Sequence, residues 1–161
     1  NEARSLIELV EKTAGLTLSE LRALILELRP TLLENQGLAE ALRVNAELFS
    51  WHRQIEVELD LDYVAGLTSA QEIAVYRIVQ EAFANIRKHA RANRVYLSLL
   101  ESEKRVEAKI EDNGIGFDLK NIKKGNGLLN MKTRTQDNGG VFRLQTAPGK
   151  GTIIRVEFPK D

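Results

Sequence analysis

The chain has 161 residues, enough for one domain with a small appendage and a sizeable core. Its 23 lysines and arginines balance 23 aspartates and glutamates, which gives no support to a nucleic-acid or membrane-surface protein. There is no cysteine, which excludes disulfide frameworks, thiolate nucleophiles and cysteine metal sites.

Residues 2 to about 28 predict one long helix, with Leu6, Leu9, Val10, Leu16, Leu21, Leu24 and Leu28 recurring at steps of three and four. It opens abruptly, as an excised fragment of a longer protein would, with no signal-peptide pattern. Pro30 is expected to stop it, and a short segment to lead to Gly37. A second helix is expected from Leu38 to Trp51, with Leu38, Ala41, Leu42, Asn45, Leu48 and Phe49 facing one way. Ile55, Val57, Leu59 and Leu61 alternate, which predicts a strand. Thr68 or Ser69 is placed to cap a third helix running to about His89.

Strands are expected near Arg94 to Glu101 and Arg105 to Glu111, followed by a loop from Asp112 to Gly127 rich in glycine, lysine and asparagine. A helix over Leu128 to Asp137 ends at Asn138-Gly139-Gly140. The last strands, Val141 to Thr146 and Thr152 to Phe158, flank Ala147-Pro148-Gly149-Lys150-Gly151. The pattern predicts an α+β fold: a two-layer sandwich with helices on one face of a mixed, mostly antiparallel sheet, preceded by the long N-terminal helix. No apolar run approaches the roughly 18 residues that cross a bilayer.

Four segments carry candidate chemistry. On the third helix, Arg77, Glu81, Asn85 and Lys88 fall within about one third of the circumference, opposite Ile73, Tyr76, Val79, Phe83 and Ile86. This reads as a solvated face, or as a site in which Asn85 offers a neutral oxygen to Mg²⁺, Glu81 orients a nucleophile or metal-bound water, and Lys88 neutralises phosphate. His89, at the helix end, reads first as a partner of the helix dipole. Asp112-Asn113-Gly114-Ile115-Gly116 reads equally as a tight turn and as a carboxylate that accepts an exocyclic amine beside bare backbone. Gly125-Asn126-Gly127-Leu128 precedes a helix and follows Lys123 and Lys124, so it is either a simple loop or a phosphate-binding turn. Gly149-Lys150-Gly151-Thr152 is no P-loop, because it joins two strands; it reads as a hairpin turn from which Thr152 reaches a base.

Taken in order, these segments resemble the ATP-binding domain of sensor histidine kinases, within the wider ATPase group that includes gyrase, Hsp90 and MutL. "VQEAFANIRKHA" is similar to the asparagine box, "EDNGIGFD" to the first glycine box, "GNGLLNM" to the second and "TAPGKGTIIRVEFP" to the third. "LRPTLLENQGLAEAL" and the lysine-histidine-alanine ending resemble the nitrate-sensor and lipid-fluidity-sensor branch, and "ELRALILELRP" the end of its second hairpin helix.

The resemblance implies a Bergerat-type ATP-binding fold over residues 31–161, with residues 1–30 ending a dimerisation hairpin. It implies ATP and Mg²⁺ as ligands. Asn85 would hold the metal with Glu81 beside it, and Lys88 would meet phosphate, with His89 in the same box. Asp112 would accept the adenine amine, and Gly114 and Gly116 would allow close approach of the nucleotide. Lys124 would stand beside the phosphates, and Gly125 and Gly127 would hinge a lid spanning about Asp118 to Gly127, with Leu128 after it. Thr152 would line the adenine pocket. The implied partners are the phosphoacceptor hairpin, a second copy in a homodimer and a response regulator with a helix-turn-helix output domain, with no direct nucleic-acid contact. The implied setting is the cytoplasmic part of a membrane-anchored or soluble bacterial sensor.

One departure is plain. The acceptor histidine, followed by an acidic residue, has no counterpart here: His52 follows a tryptophan and His89 belongs to the nucleotide box. The expectation is binding of Mg-ATP without self-phosphorylation. A serine kinase or water-directed ATPase of the same superfold, and a non-catalytic dimerisation module, are the competing readings.

Overall fold

The computed structural model describes Ile7, Val10 and residues 29–51, 55–120 and 126–160. Ile7 and Val10 are both helical; the rest of the expected first helix, His52, Lys124 and Gly125 lie outside the described residues.

Helix α1 (Arg29–Trp51) contains Pro30 within its first turn and bends at Gly37, where φ 81 and ψ 172 leave helical geometry. Residues 31–36, expected as a connecting segment, are therefore helical. Proline is tolerated in a first turn, because the missing N–H has no partner there in any case. Leu33, Leu38, Ala41, Leu42, Ala46 and Phe49 bury one side of α1. The Phe49 ring stacks on Phe83 with centroids 4.4 Å apart, joining α1 to the next helix.

Strand β1 (Glu56–Leu61) alternates as its sequence requires, with the glutamates and Asp60 outward and the aliphatics inward. Helix α2 (Ser69–Asn85) starts on a capping box, in which Thr68 accepts from the Gln71 N–H at 3.2 Å and Gln71 accepts from the Thr68 N–H at 2.9 Å. Tyr76, Ile78, Val79, Ala82 and Phe83 are buried along it. Ile73, expected on that face, is exposed, because the buried stripe runs through Gln71, Ala74, Val75 and Ile78 and leaves Ile73 at its edge. The helix then widens into a π turn over Ile86–Ala90, closed by Arg91 in the left-handed conformation at φ 51.

Strands β2 (Arg94–Glu101) and β3 (Arg105–Asp112) form a hairpin. Helix α3 (Asn126–Asp137) begins two residues before its expected start, so Gly127 lies inside it. Strands β4 (Val141–Thr146) and β5 (Thr152–Pro159) complete the sheet, in the order β1-β2-β3-β5-β4. Strands β1 and β2 are parallel; the other pairings among the described residues are antiparallel.

Helices α1, α2 and α3 cover one face of the sheet. Val95, Leu97, Leu99, Val106, Ala108, Ile110, Ile154, Val156 and Phe158 point into that layer and are buried. The opposite face carries Tyr96, Lys109, Arg143, Arg155 and Glu157, with Lys109 4.7 Å above the Tyr96 ring. Burial of the inner face supplies most of the stabilisation, at about 25 cal/mol per Å² of apolar surface; the charge pairs of the outer face add little.

Candidate functional site

Strand register builds the site. Asp112 ends β3 and pairs with Thr152, which opens β5; Thr152 pairs in turn with Thr146 at the end of β4. Ile110 precedes Asp112 by two residues and Ile154 comes two after Thr152, so all four face the helices. Here the helical layer does not close over the strands. A cavity of about 460 Å³ opens, lined on the sheet side by Ile110, Asp112, Thr152 and Ile154. Ala82, Asn85, Ile86, His89 and Ala90 form the helical wall. Ile115, Gly116 and Phe117 line the loop side, and Gly127 and Leu128 the start of α3.

Asp112 is only 5% exposed. Its carboxylate accepts the Gly114 N–H at 2.8 Å. Burial holds its pKa above the ordinary aspartate value, while hydrogen bonds from Gly114 and Thr152 pull it partly back. A desolvated acceptor in a mostly apolar chamber is suited to read one donor on a flat ligand.

Asn85 stands across the cavity, at the junction of α2 and the π turn, and makes no capping bond with its side chain. Glu81 lies one turn earlier, against the start of α3: a Cβ added at Gly127 would overlap Glu81 Oε1 and come within 3.5 Å of Asn85 Nδ2. Asn85, Glu81 and Gly127 are thus neighbours. The π turn follows Asn85. His89 lines the cavity wall with Asn85, as its i+4 spacing would have it in an α-helix too, whereas Lys88 is exposed and outside the lining. An α-helical wheel, at about 100° per residue, puts both His89 and Lys88 near Asn85, so Lys88 is the one that departs from it.

The glycines are shaped by protein neighbours. A Cβ at Gly114 would overlap the Ala90 carbonyl oxygen, and one at Gly116 (φ +56) the Ala147 carbonyl oxygen. Between them, Ile115 donates to Ala90 O at 2.7 Å and accepts from the Gly149 N–H at 2.6 Å. Asn113 fastens the same loop to the start of β2, accepting from the Asn93 and Arg94 N–H groups at 3.1 and 3.0 Å. The segment after Thr146 is the expected hairpin turn, with Lys150 donating to Ala147 O at 3.0 Å.

The sequence reading chose Asn85, His89, Asp112, Gly116, Gly127, Leu128 and Thr152, which the structure gathers on one lining with Glu81 and Gly114 adjoining, but it also placed Lys88 there, which lies outside the lining. It missed the apolar walls. Ile110 and Ile154 were legible from period-two alternation with Asp112 and Thr152; Phe117 carried no such signal.

Residues 70–161 match the family described as histidine kinase-, DNA gyrase B- and HSP90-like ATPases. The sensor histidine kinase LiaS of Bacillus subtilis is 38% identical over 154 residues, 95% of this chain and 42% of that protein. The kinase/phosphatase DegS of Brevibacillus brevis is 34% identical over 161 residues, 99% of this chain and 42% of that protein. The chain thus spans about two fifths of the length of these relatives. Among solved structures, the Acinetobacter baumannii histidine kinase AdeS superposes with a TM-score of 0.64 at 18% identity, over 93% of this chain and 83% of that one. The histidine kinase domain of the Erythrobacter litoralis EL346 blue-light-activated kinase gives 0.64 at 22% identity, over 76% and 61%. The family match takes in every residue that lines the cavity, and the chain belongs to the histidine kinase-, DNA gyrase B- and HSP90-like ATPases.

Proposed function

We propose that residues 31–161 are the catalytic domain of a sensor histidine kinase. It would transfer the γ-phosphate of Mg-ATP to a histidine on a dimerisation hairpin, of which residues 1–30 are the end. One observation carries this reading: Asp112 and Asn85 line opposite walls of a single cavity. Asp112 would accept the adenine amine, while Ile86, Ile110 and Ile154 sandwich the base and exclude water. Thr152, bonded to Asp112, would fix the acceptor's orientation.

The donor set fits Mg²⁺. Asn85 offers one amide oxygen and Glu81 one carboxylate nearby, and no group of three or more acidic, histidine or cysteine side chains gathers among the described residues. A sparse set suits a cation that keeps its waters and shares phosphate oxygens. The bound metal would neutralise charge on the phosphates during transfer. Glu81 would orient the incoming imidazole or a metal-bound water. Lys88 and His89, on the π turn, would meet phosphate oxygens from the rim, with Lys124 and Gly125 contributing from the lid. Catalysis of this kind is mostly positioning and charge neutralisation, so the chain needs no nucleophile of its own.

The partners in this reading are the acceptor hairpin, a second copy and a response regulator with a helix-turn-helix output domain. No helix among the described residues is long and apolar enough to cross a membrane. The reading places the site on the cytoplasmic side of a bacterial sensor.

The test mixes the 161-residue chain with a hairpin domain bearing the acceptor histidine and γ-labelled ATP. Label should appear on the hairpin, require Mg²⁺ and stay off the chain itself. Absence of any nucleotide binding by the chain would instead favour a non-catalytic dimerisation module.

A further inference from the structure

We infer that Thr146, which does not line the cavity, is a positioning residue for the base-binding end of the site; the inference rests on the nucleotide reading. Its hydroxyl sits where three pieces of the pocket meet. It accepts the Phe117 N–H at 3.1 Å. It donates to the Gly151 carbonyl at 2.9 Å and lies 3.3 Å from the Thr152 hydroxyl. Each partner matters to the pocket in its own way. Phe117 lines the loop side of the cavity. Gly151, at φ +67, has its Cβ position filled by the Asp112 carbonyl oxygen, so its placement is tied to the acceptor strand. Thr152 bonds the Asp112 carboxyl group and lines the cavity.

The loop over 113–117 has few other ties on this side. Ile115 is held by Ala90 and Gly149, and Asn113 by the start of β2. Gly116 comes next with positive φ and no side chain to anchor it. The Thr146 hydroxyl is then the described contact that fixes the Phe117 N–H. Without it, that N–H and the Gly151 carbonyl lose a shared partner in a half-buried place, and the Phe117 wall is free to move from the base. A pocket that is only partly populated in its competent form binds more weakly by that fraction. Thr146 is the strand partner of Thr152, at the base-binding end of the site.

The test compares Thr146→Val with Thr146→Ser in the 161-residue chain. Valine keeps the shape and the strand preference but removes the hydroxyl; serine keeps the hydroxyl. Thr146→Val should weaken ADP binding about tenfold, the scale of one or two lost hydrogen bonds. It should also speed hydrogen exchange at the Phe117 amide. Thr146→Ser should bind ADP within about twofold of wild type, since the hydroxyl is retained. Unchanged ADP affinity in the valine variant, or a serine variant as weak as valine, overturns the inference. If the valine variant does not fold, Thr146→Ala is measured against the same criteria. A wild-type chain that binds no ADP indicts the nucleotide reading; a wild-type chain that binds, with an indifferent valine variant, indicts only the role given to Thr146.

Discussion

Replacing Asp112 with alanine tests the base-reading end of the site. The carboxylate is 5% exposed, so bulk water is poorly placed to substitute for it. In the proposed role its loss would remove one charge-assisted hydrogen bond to the adenine amine, worth about 2 kcal/mol, or about 30-fold in the ADP dissociation constant. The truncation also strips the Gly114 N–H of its acceptor, so Asp112→Asn is the cleaner companion, because the amide oxygen can keep that bond. Titration calorimetry with ADP and Mg²⁺ reads both variants. Stability moves the other way. Burial raises the folded-state pKa of Asp112 above its unfolded value, so the ionised group opposes folding. Its contribution is most favourable below the unfolded pKa and worsens as pH rises to the folded pKa, above which it is constant. Asp112→Asn should therefore melt higher than wild type at neutral pH without nucleotide while binding ADP less well. ADP affinity should weaken as pH falls through the raised pKa, above the point where an ordinary aspartate titrates, and the asparagine variant should lack that step. Undiminished ADP affinity in Asp112→Ala would refute the assignment.

Further expectations concern the metal side and the turns. Asn85→Ala should abolish the Mg²⁺ dependence of nucleotide binding and turnover; equal metal dependence in calorimetry with and without Mg²⁺ would remove Asn85 as the ligand. Gly127→Ala should push Glu81 aside and slow transfer to the hairpin about 10–100-fold, the scale of an ångström-level misplacement, with ADP affinity little changed. Gly151→Ala should cost about 2–4 kcal/mol in urea unfolding, since it combines a left-handed backbone with overlap of the Asp112 carbonyl.

The fold was legible wherever periodicity had a clear answer. The alternation of β1, the cap candidates Thr68 and Ser69 and the turn glycines at 139–140 and 149–151 placed their elements to within a residue or two. Pro30 misled because proline forbids a helix interior but not a first turn, and the residues after it, Leu32, Leu33, Glu34 and Gln36, favour helix. The site was legible as a set of boxes but not as a geometry. Nothing in Ile86-Arg87-Lys88-His89-Ala90 announces a π turn, which Arg91 closes in the left-handed conformation before β2. What differs from an α-helical wheel is Lys88, which lies outside the lining, while His89 stays on the wall with Asn85.

Gly114 and Gly116 read naturally as bare backbone left for a nucleotide, yet the atoms that crowd their missing side chains are the carbonyls of Ala90 and Ala147. Gly151 is likewise pressed on the Asp112 carbonyl. Their absent Cβ atoms allow three backbone segments to close on one another at the strand ends, and that closure sets Asp112, Thr152 and Phe117 as one wall. Glycine at these positions therefore serves the acceptor before any ligand arrives. An added methyl at Gly114 or Gly116 should then lower the melting temperature of the empty chain as well as its affinity for ADP. A requirement set by the nucleotide alone would leave the empty chain's melting temperature unmoved.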